Sequence, residues 1–176
     1  MKLLYILMFA SIFGCASHNK LKVETILVKP FTSTSLDKET GRRINTSSYI
    51  PLTSVLEPAI LLQSNYNNQL TLRIQGNIRS GGLSIQNVKR IRFEQGEKSG
   101  NHITIKYFVE IIHISGKEGN NVRGYNYTKD IIYKIPEDVK FIKVELYEDR
   151  LTQKTGSKHP KLKLIASQEF DFWPKI

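Results

Sequence analysis

The chain has 176 residues, a formal net charge of +10, 40% hydrophobic residues and one cysteine. That length allows one ordinary domain or at most two very small ones, and the apolar fraction suffices for a buried core, so disorder is not the default. A single cysteine excludes an intramolecular disulfide framework and a multi-cysteine zinc domain.

Met1-Lys2 opens the chain, and the uncharged apolar run Leu3 to Phe13 follows. As a helix that run would be about 16 Å long, against a hydrocarbon core of about 30 Å. It is too short to span a bilayer and has the form of a secretory leader. Ile12-Phe13-Gly14-Cys15-Ala16-Ser17 comes next and resembles the lipobox of bacterial lipoproteins, in which an apolar and a small residue precede the acceptor cysteine. The resemblance spans the first 16 residues. It implies diacylglycerol on the Cys15 thiol, cleavage after Gly14 and acylation of the new N-terminus. Non-acidic Ala16 then implies sorting to the outer membrane, facing the periplasm. The expected organisation is a leader over 1–14, a lipidated tether over 15–20 and one domain over 21–176. Loss of Lys2 with the leader leaves 25 basic side chains against 16 acidic ones, a charge of +9.

Leu21 to Val28 reads as a first strand ended by Pro30. Thr32 to Ser48, rich in Thr, Ser, Asn and charge, reads as a long loop. Tyr49 to Gln63 contains Pro51 and Pro58 and suits edge strands or a short helical turn. In Leu70 to Ile78, apolar residues alternate with Thr71, Arg73, Gln75 and Asn77, the period of a half-buried strand. Ser80-Gly81-Gly82 marks a turn before an extended stretch from Leu83 to Phe93, and Gln95 to Asn101 reads as a loop. His102 to Ser115 carries apolar residues on both faces, as a central strand does. Tyr125 to Ile135 and Val139 to Tyr147 are further strands. Glu148 to Pro160 is a basic loop, and a last strand places Leu162, Leu164, Ala166, Phe170 and Phe172 on one face, with Trp173 and Pro174 closing the chain.

Seven or eight strands with regular turn signals and no amphipathic helix predict an all-β antiparallel sandwich, immunoglobulin-like or transthyretin-like, with a small barrel as the alternative.

The chemistry-bearing residues form no catalytic or metal motif. His18, His102, His113 and His159 have no metal-ligand spacing. His113 and Ser115 share a strand face, but a nucleophile and base also need an orienting group and an oxyanion hole, and neither is readable. Asp37 to Gly41 reads as a turn, since Lys38 and the missing closing Glu argue against a calcium loop. Asn45-Thr46-Ser47 and Asn126-Tyr127-Thr128 are glycosylation sequons without consequence in a bacterial lipoprotein. No cofactor and no enzymatic activity are expected.

The positive charge divides evenly, +5 in residues 1–88 and +5 in residues 89–176. Two windows lack acidic residues: Arg73, Arg79, Lys89, Arg90 and Arg92 in one, and Arg150, Lys154, Lys158, Lys161 and Lys163 in the other. They read as solvated faces that discourage edge pairing, or as a surface for an acidic partner. Secretion and poor aromatic interleaving exclude nucleic acid. The anionic partners at hand in an envelope are phospholipid, lipopolysaccharide, peptidoglycan carboxylates or an acidic protein, and each cation near an anionic leaflet adds about 1 kcal/mol. The expected function is a membrane-anchored, non-enzymatic binding or accessory module in an envelope or secretion assembly. The lipoprotein subunit of type VI secretion complexes has a comparable plan. The alternative is an immunity or inhibitor lipoprotein that neutralises a toxin or hydrolase through the loop from Arg150 to Lys163.

Overall fold

The computed structural model describes residues 20–80, 84–150 and 162–172. The leader with Cys15, the turn at Gly81 and Gly82, the stretch 151–161 and residues 173–176 lie outside the described residues.

Nine strands are present among the described residues: β1 (Lys22–Leu36), β2 (Arg43–Pro51), β3 (Ala59–Tyr66), β4 (Gln69–Arg79), β5 (Ser84–Ser99), β6 (His102–Ser115), β7 (Val122–Lys134), β8 (Phe141–Arg150) and β9 (Leu162–Asp171). They form a five-stranded sheet, β2-β1-β7-β4-β3, and a four-stranded sheet, β5-β6-β8-β9. The two sheets enclose one core. Leu70, Leu72, Ile74 and Ile78 of β4 and Tyr127 and Ile131 of β7 meet Ile103, Ile105, Tyr107, Val109 and Ile111 of β6 and Ile142, Val144 and Leu146 of β8. The alternation read in β4 is the cause: its apolar set faces inward and Thr71, Arg73, Gln75 and Asn77 face out. Gly76 leaves room for the Tyr127 ring, since a Cβ there would lie 2.4 Å from the Tyr127 hydroxyl.

The expected sandwich is therefore present, with one strand more than counted and one parallel pair. β6 and β8 run side by side in the same direction from His102 beside Phe141 to Ile111 beside Arg150. The chain makes this parallel return by crossing into the other sheet as β7.

Three readings are corrected. The stretch from Thr32 to Ser48 is not a loop. β1 pairs with β7 only from Lys22 to Leu27, then runs on to Leu36 paired with β2, from Val28 opposite Pro51 to Leu36 opposite Arg43. The result is a two-stranded arm extending past the sheet, closed by a turn in which Asp37 accepts the N–H of Glu39 at 2.9 Å and Gly41 takes a φ of +65°. The residues from Gln95 to Ser99 also stay in strand, as β5 runs past a bulge at Gln95/Lys98 to a tight turn at Gly100. In β9 a bulge opposite Leu146/Tyr147 reverses the phase of the strand. Ile165, Ala166 and Phe170 pack on the core, while Leu162 and Leu164 are exposed.

Tyr49 to Gln63 holds parts of both edge strands of the first sheet, as its prolines require. β2 and β3 lie on opposite edges, so segment 52–58 must cross the sheet. It does so as a strap over the outer face. The Asn126 side chain accepts the N–H of Leu56 at 3.0 Å and donates to the carbonyl of Ser54 at 2.7 Å, and Asn77 donates to the carbonyl of Leu56 at 2.7 Å.

Candidate binding surface

The two basic windows do not make one patch. Arg73 and Arg79 stand on the outer face of the first sheet. Arg90 and Arg92 project from β5 on the outer face of the second, across the core from them, and Lys89 sits in a bulge of that strand. Of the second window, Lys154, Lys158 and Lys161 lie outside the described residues. Lys163 is opposite Glu148 in the β8–β9 pairing, and Arg150 donates to Glu148 at 3.3 Å and to the Gln86 side chain at 3.3 Å.

Most of the described arginines in the first window are neutralised across strands. Arg73 Nε and Nη2 donate to the two oxygens of Asp130, on neighbouring β7, at 2.7 and 3.0 Å. Arg90 makes the same two-pronged contact with Glu110 of β6 at 2.7 and 3.0 Å. Arg92 lies 4.2 Å above the Phe108 ring, 3.4 Å from Glu110 and 3.9 Å from Asp149. Phe108 stacks on Tyr147 at 5.3 Å, and the Tyr147 hydroxyl donates to Glu145 at 2.7 Å. The outer face of the second sheet is thus a self-satisfied ladder of ions and rings. It explains why Phe108 and Glu110 are buried on a face that no other strand among the described residues covers. The guanidinium of Arg90, donating to the ionised form, holds the Glu110 carboxyl below its usual range against the opposing cost of burial, and Arg73 does the same for Asp130. Asp149 Oδ1 is buried with no hydrogen-bond partner among the described residues.

His102 stacks on Phe141 at 4.4 Å, and His113 lies opposite Gln86. Asp37 turns its oxygen to backbone N–H groups in the arm's tip. Among the described residues no cluster of three His, Cys, Asp or Glu could hold a metal ion.

Among the described residues, the arm and the region at its base are open to a partner. Every residue of β2 is exposed, and Phe31, Leu36, Ile44, Tyr49 and Ile50 leave 41–64% of their surface in solvent. Between them stand the hydroxyl residues Thr32 to Ser35 and Thr46 to Ser48, with Thr34 bonded across the arm to Asn45 at 2.8 Å. Beyond Leu27, β1 has β2 on one side and, among the described residues, no strand on the other. At the base, the Arg123 guanidinium lies 4.0 Å over the Tyr49 ring. Arg123, with Arg79, Ile26, Val55, Glu57, Asn77 and Ser80, lines a pocket of about 440 Å³ beside the strap. Arg79 was a binding candidate in the sequence, but neither Arg123 nor any arm residue was. The one local signal for Arg123 was its place before Gly124, whose φ is +151° and where a Cβ would fall 2.0 Å from the Ile78 carbonyl oxygen.

No protein-family model, curated protein or solved structure matches the chain.

Proposed function

We propose that the chain is a lipid-anchored protein of the bacterial envelope whose β-sandwich serves as a non-enzymatic binding or accessory module, presenting the β1–β2 arm to an envelope protein. The observation that carries this reading is the arm itself. Its apolar side chains and open strand edge bury little within the chain, and exposed edges and apolar patches are the usual means of strand addition and docking.

The lipobox resemblance and the direction of β1 fit together. Six residues from Cys15 to Lys20 reach at most about 20 Å. β1 then runs 15 residues, about 50 Å, from Lys22 to the tip at Leu36. An anchor at Cys15 therefore holds the start of β1 near the membrane, and the length of β1 lets the tip reach about 50 Å further from it. Anionic phospholipid, lipopolysaccharide or peptidoglycan would meet the cations left outside the ion pairs. The immunity reading rests on the loop from Arg150 to Lys163, of which 151–161 lie outside the described residues, and no described contact favours it.

The test compares the full chain, a Cys15→Ser variant and a variant with residues 31–48 replaced by a tight turn. The full chain should partition to membranes and retain an envelope protein after detergent extraction. Cys15→Ser should lose lipid labelling, and the arm variant should stay in the membrane but lose the partner. Lipid labelling of Cys15→Ser, or an unchanged partner without the arm, overturns the reading.

A further inference from the structure

The strap over the first sheet does more than connect β2 to β3. Its edge closes the pocket at the base of the arm, where two guanidiniums, Arg79 from β4 and Arg123 from β7, share one cavity with a single carboxylate, Glu57. Neither arginine forms an ion pair among the described residues, unlike Arg73, Arg90, Arg92 and Arg150. The nearby carboxylate of Glu118 is engaged elsewhere, by the hydroxyls of Ser80 and Tyr125. Two guanidiniums that form no ion pair among the described residues, with Glu57 as the one carboxylate in the lining, meet at a concave and mainly polar surface and form a site for an anion.

The walls are fixed before any ligand arrives. Ser80 Oγ accepts the N–H of Gln86 at 3.0 Å while donating to Glu118. Asn77 and Asn126 hold the strap by its backbone, and Tyr49 supports the face of the Arg123 guanidinium. Ile26 and Val55 supply apolar contact.

We propose that this pocket binds the C-terminal end of a peptide. The terminal carboxylate lies between Arg79 and Arg123, Glu57 accepts an N–H of the same end group, and a small side chain rests on Ile26 and Val55. The charges decide between anions. Within the lining two guanidiniums stand against Glu57, and the Glu118 carboxylate behind Ser80 lowers the local charge further, which suits a single negative charge carrying a nearby donor better than a dianion. A phosphate dianion carries twice the charge that the pocket can offset and is repelled more strongly by Glu57. The pocket uses Tyr49 at the base of the arm but none of residues 31–48, so failure of one site leaves the other standing.

The test titrates the full chain in detergent micelles with alanyl-alanine, its C-terminal amide and inorganic phosphate, read by amide chemical shifts. Alanyl-alanine should saturate a single site and move the amides of Arg79, Ser80, Arg123 and Gly124. The amide should bind about tenfold or more weakly, as should alanyl-alanine to Arg79→Gln or Arg123→Gln. Arg79→Lys should restore part of the loss. Equal binding of dipeptide and amide, tighter binding of phosphate, or no saturation at about 10 mM overturns the proposal. The dipeptide–amide comparison on the unaltered chain decides the matter even if a variant fails to fold.

Discussion

The side-chain carbonyl of Asn126, in β7, accepts the backbone N–H of Leu56 at 3.0 Å, from a residue 70 positions earlier in the chain. The same side chain donates to the Ser54 carbonyl, so one buried amide holds both sides of the strap. Truncating it strands backbone groups beneath the segment that joins the two edges of the first sheet. Asn126→Ala should cost about 2–4 kcal/mol, since each buried group left unpaired costs about 1–3 kcal/mol. Asn77→Ala, which removes only the donor to the Leu56 carbonyl, should cost about half as much. Urea unfolding at neutral pH measures both.

The ion pairs set an acid limit. Arg90 donates to the ionised form of Glu110 and lowers its carboxyl from the ordinary 4.5, and Arg73 lowers Asp130 from 3.8. A carboxyl depressed in the folded chain takes up a proton less readily there than when unfolded. Its stabilisation is therefore complete above the unfolded value and disappears as pH falls through the lower folded one. Thermal melting should be nearly independent of pH between about 5 and 7 and fall steeply below about pH 4. In Arg90→Met the burial of Glu110 is no longer opposed by a bidentate partner, and the fall should begin at higher pH. Melting curves of the two chains across that range check the sign.

The arm should open before the sandwich does. It is a two-stranded ribbon with solvent on both faces, and such a ribbon is marginal without a third strand. Amides of Ser33 to Ser35 and Asn45 to Ser47 should exchange at least about a hundredfold faster than those of Leu72 to Ile74 in β4. Amide hydrogen exchange by NMR measures the ratio. A bound partner strand should slow the arm and leave β4 unchanged.

The sandwich was legible in the sequence wherever a strand has one wet and one dry face, because burial then imposes a period of two. Leu70 to Ile78 and the inner face of β6 are the clearest cases. The arm was not legible for the same reason. Thr32 to Ser35 and Thr46 to Ser48 cover no core, so nothing selects alternation, and their hydroxyl-rich composition reads as loop. The phase of β9 was lost to one bulge, which turned Ile165 inward and Leu162 and Leu164 outward. The basic windows misled through distance along the chain. Arg73 finds its acid 57 residues away and Arg90 finds its own 20 away, so a count within a window registers the cations and not their partners. Arg123 escaped notice because it stands alone, and only the strap and β4 make it part of a pocket.

The central claim is that the arm is the element a lipid-anchored sandwich offers to an envelope protein. Site-specific photocrosslinking in intact cells tests it most directly, with the probe placed in turn at Phe31, Ile44 and Leu164, all exposed. The account predicts one discrete protein adduct from Phe31 and Ile44, none from Leu164 on the edge of the other sheet, and loss of the adduct when Cys15 is replaced by Ser. Adducts from Leu164 alone, or none from either arm position, would contradict it.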